Sequence, residues 1–350
     1  EHENLSSEER SLNGVEFSSK LSSPPPLNNK LQSLLAWLRQ YANESINSRL
    51  MDERRCISPG VILDFGNQGL LGMRVPQQYG GLGLGHQAML QVLEQLGAID
   101  PTLALFVGLN NVLGVRPILR YAQPELREQL LPQLATGREL AAFALTEPGA
   151  GSHPLGMTSK ATPTGDGWNL DGQKIWSGSA AWAGIINVFV KQYDADGNSI
   201  GVSSFAVRKG SPGLRQGPEA LTMGMRAMVQ NTVFLDNVSV DSSQLLGEPG
   251  AGMEVAQDAM MYGRLAIAAA SVGGMKRCAQ LMLSYSSRRS ISTGTLLSNP
   301  VTLTRLNWLT NAIATLHGLV TFIAQRLDQD LPVPEELYAA CKILGPELYW

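Results

Sequence analysis

Ala144-Leu145-Thr146-Glu147-Pro148-Gly149-Ala150-Gly151-Ser152 comes directly after the apolar residues 140–144. A proline and three small residues stand between two hydroxyls. Such a turn can set backbone N–H groups and side-chain hydroxyls against a planar polar ligand. A second run, Gly172-Gln173-Lys174-Ile175-Trp176-Ser177-Gly178-Ser179, follows at about a hairpin's length and places a large aromatic among small polar residues. On composition alone the pair also fits a polar loop above a barrel, with the tryptophan filling its mouth.

Outward from these runs, β-forming residues cluster at 168–170, 186–190, 203–207 and 232–234. Glycine- and aspartate-rich turns at 164–167, 171–172 and 194–197 separate them. This pattern predicts a central, antiparallel, barrel-like β domain over residues 144–242. The Asp171-Gly172 pair is expected to make a tight reversal that returns Trp176 toward the first run. Phe234, Val238 and Val240 are expected in its core.

Both flanks read as helical. Leu31, Leu34, Leu35, Leu38 and Ala42 form an amphipathic stripe, and Pro59 suits the first turn of a helix with Ser58 before it. Further helices are expected over 87–98, over 103–122 with a break at Pro117, and over 124–134, giving an N-terminal helical domain of residues 29–143. Residues 1–28, acidic, then serine-rich, then Pro24-Pro25-Pro26, read as a flexible tail or linker. Beyond 243 the apolar runs 256–282, 301–327 and 335–344 predict a helical bundle, with Gly345-Pro346 able to end the last helix. The small residues of 266–270 and Gly273-Gly274 permit close helix approach. The fold class is therefore α+β, in three parts.

Composition narrows the function. A formal charge of −3 over 350 residues argues against nucleic acid as a partner. Cys56, Cys278 and Cys341 and the four histidines are too dispersed for a disulfide framework or a metal cluster, so no metal is expected. No stretch approaches the roughly 20 apolar residues of a membrane span. With no signal-peptide profile either, a reducing, cytoplasmic setting is the expectation.

Several motifs together resemble the acyl-CoA dehydrogenase family: T-E-P-x-x-G-S at 146–152, the later Trp176, P-x-x-Y-G-G at 76–81, Met223-Gly224-Met225-Arg226, and Tyr262-Gly263-Arg264. The resemblance implies FAD bound between the β domain and the helices. It implies Phe143, Leu145, Thr146, Gly151, Ser152, Trp176, Ser177 and Gly178 as cofactor contacts, with Gly178 where the family usually has a threonine. Ser152 and Arg264 are implied on the substrate side, and Asn110 and Asn111 are read chiefly as structure. His153 replaces the usual aspartate and is read as either a cofactor neighbour or a surface residue. Tyr285, Arg289 and Leu296 match a segment that reaches the FAD of a neighbouring chain, with Ser292 and Thr293 departing from it, so Arg289 is a further cofactor candidate in a homodimer or homotetramer.

The implied reaction is FAD-dependent α,β-dehydrogenation of an acyl thioester. The acyl group rides on CoA or on an acyl carrier protein, as in polyketide or lipopeptide assembly. The catalytic carboxylate is not visible. One family branch places it where this chain has Gly263, and the other places it in a turn expected beyond Trp350, in a bundle expected to be incomplete. An acyl-CoA oxidase-like flavoenzyme and a non-catalytic scaffold that binds an acyl group or a carrier are the alternatives.

Overall fold

The computed structural model describes residues 29–350; the expected tail at residues 1–28 lies outside them. In α1 (Asn29–Ser45) the expected stripe buries Leu31, Leu34 and Leu38, because apolar residues at three- and four-residue spacing share one helix face. α2 (Ser48–Arg54) is capped by the Asn47 side chain, which accepts from Leu50 N. α3 (Pro59–Asn67) starts on its proline, and Ser58 makes no side-chain cap bond.

α4 (His86–Ile99) leads into α5 (Pro101–Leu109), a π-helical turn (Asn110–Val115), α6 (Arg116–Tyr121) and α7 (Pro124–Ala135). The break expected at Pro117 therefore falls just before it. The continuous run Pro101–Tyr121 is, at 21 residues, long and apolar enough to pass for a membrane span, which the sequence reading did not expect. Two thirds of its apolar window (67%) is covered by other elements of the fold.

The C-terminal part is built on α8 (Gly252–Arg288), with α9 (Pro300–Asp328) and α10 (Glu335–Tyr349) against it. The small-residue run of α8 is used inside the subunit. A Cβ on Gly97 of α4 would lie 2.1 Å from Ala270 O, and one on Gly273 would lie 1.9 Å from Glu94 O. The two helices therefore cross backbone to backbone. Gly345 does not end α10. It admits that helix to α8, since its Cβ would stand 3.0 Å from Ala268 Cα. Gly273→Ala is expected to cost about 1–3 kcal/mol, the range for overpacking a close-packed site, seen as a lower urea midpoint at unchanged slope. An unchanged midpoint would mean that α4 and α8 are free to move apart.

One core joins these helices: Leu38, Phe65, Leu93, Phe106, Leu265 and Ile323 belong to a single buried cluster.

Between the helical parts lies a mixed sheet of β1 (Ala141–Ala144), β2 (Lys160–Thr164), β3 (Gly167–Gly178), β4 (Ile185–Tyr193), β5 (Ser199–Arg208), β6 (Leu214–Glu219), β7 (Gln230–Asp241) and β8 (Leu245–Leu246). The order is β6-β7-β3-β2-β4-β5-β8, with β1 beside β4. Most pairs are antiparallel as expected, but β1–β4 and β2–β4 run parallel.

One bulge between β3 and β7 corrects the sequence reading at two points. Asp171-Gly172 does not reverse the chain; β3 runs straight through it. Gly172 adopts φ +143° where its Cβ would meet Ser159 Oγ at 2.1 Å, and the ladder to β7 slips one residue there. Phe234 is not in the core either. Asn237, at φ +54°, adds a residue to β7, so Val233 and Leu235 point inward before it and Val238 and Val240 after it. This leaves Phe234 half-buried on the other face, its ring 4.8 Å from the Arg215 guanidinium.

Candidate functional site

The turn at 145–152 is fastened to β3 by a buried ion pair. Lys174, wholly buried, donates from Nζ to Glu147 Oε1 at 2.7 Å and to Leu145 O at 3.2 Å. Glu147 also accepts from Thr158 N (2.6 Å), Thr158 Oγ1 (2.8 Å) and Ser159 N (3.0 Å). Burial alone would raise the Glu147 pKa, but the hydrogen bonds from Lys174, Ser159 and Thr158 outweigh it and hold the carboxyl down at about 2. Burial pulls Lys174 below the ordinary lysine value, against the attraction of Glu147. The backbone completes the fastening. Ile175 N donates to Thr146 O at 2.8 Å, and Glu147 and Ala150 exchange N–H···O bonds of 3.1 and 3.2 Å.

Past Lys174 the strand changes face. Trp176 (φ +58°) and Ser179 (φ +57°) occupy left-handed backbone, uncommon for non-glycine residues and costly unless the surroundings impose it. The register of β3 against β7 slips between Lys174 and Ser177. The slip turns the Trp176 ring outward, 56% exposed, and buries Ser177, whose Oγ has no partner.

These two segments meet at a cavity of about 260 Å³. Phe143, Leu145, Thr146, Trp176 and Gly178 line it together, joined by Ser179, Gln230 and Met228 from the sheet side. The helices close it with Phe106, Leu109, Asn110, Leu113 and Met260. Met228 is brought in by the β6–β7 loop, which Arg55 clamps through Glu219 Oε1 (3.0 Å) and Thr222 O (3.0 Å). Gly178 lets Met228 close against the wall: a Cβ there would be 3.0 Å from Met228 Cε.

Other sequence candidates fall elsewhere. Ser177 faces away from the cavity. Gly151 and Ser152 are exposed, although a Cβ on Gly151 would lie 3.9 Å from Thr146 Cγ2 and so beside the cavity rim. His153 is exposed. Arg264 pairs with Glu335 at 3.6 Å. Arg289, at the C-cap of the helix that carries Met260, stands 29 residues beyond it, about 44 Å at 1.5 Å per residue, too far to reach this cavity. Asn110, which lines the cavity, and Asn111 are both buried and bonded to backbone. Gly263 is buried, with room for a Cβ 3.7 Å from Leu113 Cδ2. Among the described residues no Asp or Glu lines the cavity. Sequence reasoning missed the Glu147–Lys174 pair and Met228; a lysine in the middle of a strand was the one signal that pointed to the pair.

The residues fit the ring portion of the implied FAD. The outward tryptophan provides a flat apolar face, Met228 packs against Gly178 in the adjoining wall, and the Thr146 hydroxyl and Gln230 amide provide polar contacts.

Comparison with known proteins gives the same order of parts. Acyl-CoA dehydrogenase domain models match residues 28–138 (N-terminal domain), 142–238 (middle domain) and 250–350 (C-terminal domain). A probable acyl-CoA dehydrogenase of Bacillus subtilis is 35% identical over 226 residues, covering 64% of this chain and 37% of that protein. The chain thus spans well under half the length of that relative. Butyryl-CoA dehydrogenase from Megasphaera elsdenii superposes with a TM-score of 0.86 at 23% identity, covering 93% of this chain and 86% of the other. The prolyl acyl carrier protein oxidase AnaB superposes with a TM-score of 0.85 at 23% identity, covering 92% and 85%. These two likenesses show the fold. With its three parts matched in sequence order, the chain belongs to the acyl-CoA dehydrogenase family.

Proposed function

We propose that this protein carries out FAD-dependent α,β-dehydrogenation of an acyl thioester borne by CoA or by an acyl carrier protein. The observation that carries the reading is the meeting of the 145–152 turn with the left-handed Trp176–Ser179 rim on one apolar-walled cavity. Left-handed backbone at two non-glycine residues persists where a site requires it.

FAD, the family's cofactor, supplies when bound the acceptor for the hydride leaving the β-carbon. Thr146 and the backbone of 145–146 would hold its ring, with Trp176 beside it and Gly178 admitting the Met228 methyl to the neighbouring wall. Leu113, Phe106, Leu109 and Met260 enclose the acyl group and keep water from it. Gly151 and Ser152 flank the rim. Arg264 stands on α8 one turn beyond Met260 and is paired with Glu335, a position from which it would serve the thioester side. Arg289, about 44 Å along α8 from Met260, serves the cofactor of a second copy, which supports a homodimer or homotetramer. A carrier-borne substrate draws support from the likeness to AnaB, whose name gives a prolyl acyl carrier protein as its substrate. The non-catalytic scaffold is the second reading, favoured by Gly178 and Gly263 standing where the family's functional side chains are expected.

The test is an anaerobic titration of the full-length protein, loaded with FAD, with acyl thioesters of increasing length on CoA and on a phosphopantetheinylated carrier. Bleaching of the oxidised flavin band with a new long-wavelength charge-transfer band is expected. A flavin that stays oxidised with every thioester overturns the dehydrogenase and leaves the scaffold.

A further inference from the structure

The helical wall of the cavity is held in an unusual form. In the turn Asn110–Val115 the bonds reach one residue further back than in an α-helix, and Arg116 N donates to Asn111 O. Such turns are rare and recur at functional positions. Pro117 has no N–H, so Leu113 O lacks its α-helical donor. Asn187 of β4, wholly buried, provides one: its Nδ2 lies 3.1 Å from Leu113 O and 2.8 Å from Gly114 O. Asn111 Nδ2 reaches Val107 O (2.9 Å) and Leu70 O (2.8 Å), and its Oδ1 accepts from Met73 N (2.9 Å). Asn110 joins Leu71 O (2.9 Å) to Ala141 N (3.1 Å).

The extra residue of the turn is trapped. Upstream, Asp100 caps α5 by accepting from Thr102 N at 2.7 Å. Downstream, Arg116 grips Asp258 with two bonds of 2.7 and 2.8 Å, so α6 cannot rotate against α8. Gly114 lies against β1, where a Cβ would be 2.3 Å from Ala141 O. A change from π to α register shifts the following residues by one position, about 100° around the helix axis. With both ends pinned, that shift falls on Leu113, which lies inside the turn and lines the cavity.

We propose that Asn187, which does not line the cavity, is a positioning residue that sets which acyl length the cavity accepts, by holding the Leu113 and Gly114 carbonyls and so keeping the wall in π register. This rests on the reading that the cavity receives an acyl thioester. The acyl wall is thereby governed from the sheet, through a residue on the strand that pairs with Phe143.

The experiment compares the parent with Asn187→Ala, Pro117→Ala and the double variant. It measures kcat/KM across straight-chain acyl thioesters, binding of the same thioesters from their perturbation of the bound flavin spectrum, and urea stability. Asn187→Ala is expected to change the ratio of kcat/KM between two chain lengths by about tenfold or more, the scale of one methylene in an apolar pocket, and to lower stability. Pro117→Ala restores an N–H for Leu113 O. It is expected to fold as well as the parent, to favour the α register, and to shift the profile in the same direction. The double variant is expected to regain stability while keeping the shifted profile. Variants that lose activity at every length in proportion to lost stability, with an unchanged profile, overturn the positioning role alone. A parent whose flavin responds to no thioester overturns both this proposal and the reading it rests on.

Discussion

Lys174→Met is expected to destabilise the protein by about 3–5 kcal/mol, the range for removing one partner of a buried ion pair. Lysine and glutamate are both out of water here, and methionine leaves the Glu147 carboxylate with only its bonds from Thr158 and Ser159. The loss is read by urea unfolding. The turn at 145–152 also loses the Lys174 bond to Leu145 O, so FAD is expected to dissociate more readily at a urea concentration where the chain is still folded. Lys174→Met/Glu147→Gln is expected to recover most of the stability, since no unpaired charge remains, without recovering FAD retention. Equal losses in the single and double variants would mean that lysine packing, rather than charge, is what matters.

The pair also fixes the response to acid. The Glu147 pKa is lower in the folded protein, about 2 against the ordinary 4.5. Its contribution is therefore fully present above about pH 4.5 and disappears as pH falls through about 2. The difference corresponds to about 3 kcal/mol at 1.36 kcal/mol per pKa unit. Unfolding free energy measured across that window should fall with pH in the parent and fall less steeply in Glu147→Gln.

Gly263→Glu is expected to raise α-proton abstraction from a bound acyl thioester by about 10²–10⁴-fold, the usual contribution of a positioned general base. A Cβ at this buried position lies 3.7 Å from Leu113 Cδ2 and 4.0 Å from Val112 Cγ2, so the side chain starts in open contact with the cavity wall. Apolar surroundings raise the pKa of a carboxyl group, which makes it a better base near neutral pH. Exchange of the α-proton in deuterated water, followed by NMR under anaerobic conditions, reports the step directly. Folding is checked by urea unfolding, because a buried carboxylate offsets the helix propensity gained over glycine. A folded variant with no gain in exchange would place the α-carbon away from this face of α8.

The sequence by itself determined the order of helical and β parts and the main helices, along with the turn and the tryptophan that meet at the cavity. Helical stripes, proline starts and β-forming runs are local signals, and Phe143, Leu145, Thr146, Trp176 and Gly178 lie beside motifs that read locally. Only the tertiary structure decided which way residues face after a bulge. Ser177 turned inward and Phe234 outward because one inserted residue in a strand reverses the alternation of faces, and such insertions are set by the neighbouring strand. The small residues of α8 were legible as a close-contact surface, but their partner, α4 of the same chain, was not. The Lys174–Glu147 pair and the Asn187 brace were equally hidden, since each satisfies a buried group 27 to 74 residues away in the chain. Burial creates that need, because a polar group removed from water must find a partner wherever the fold brings one.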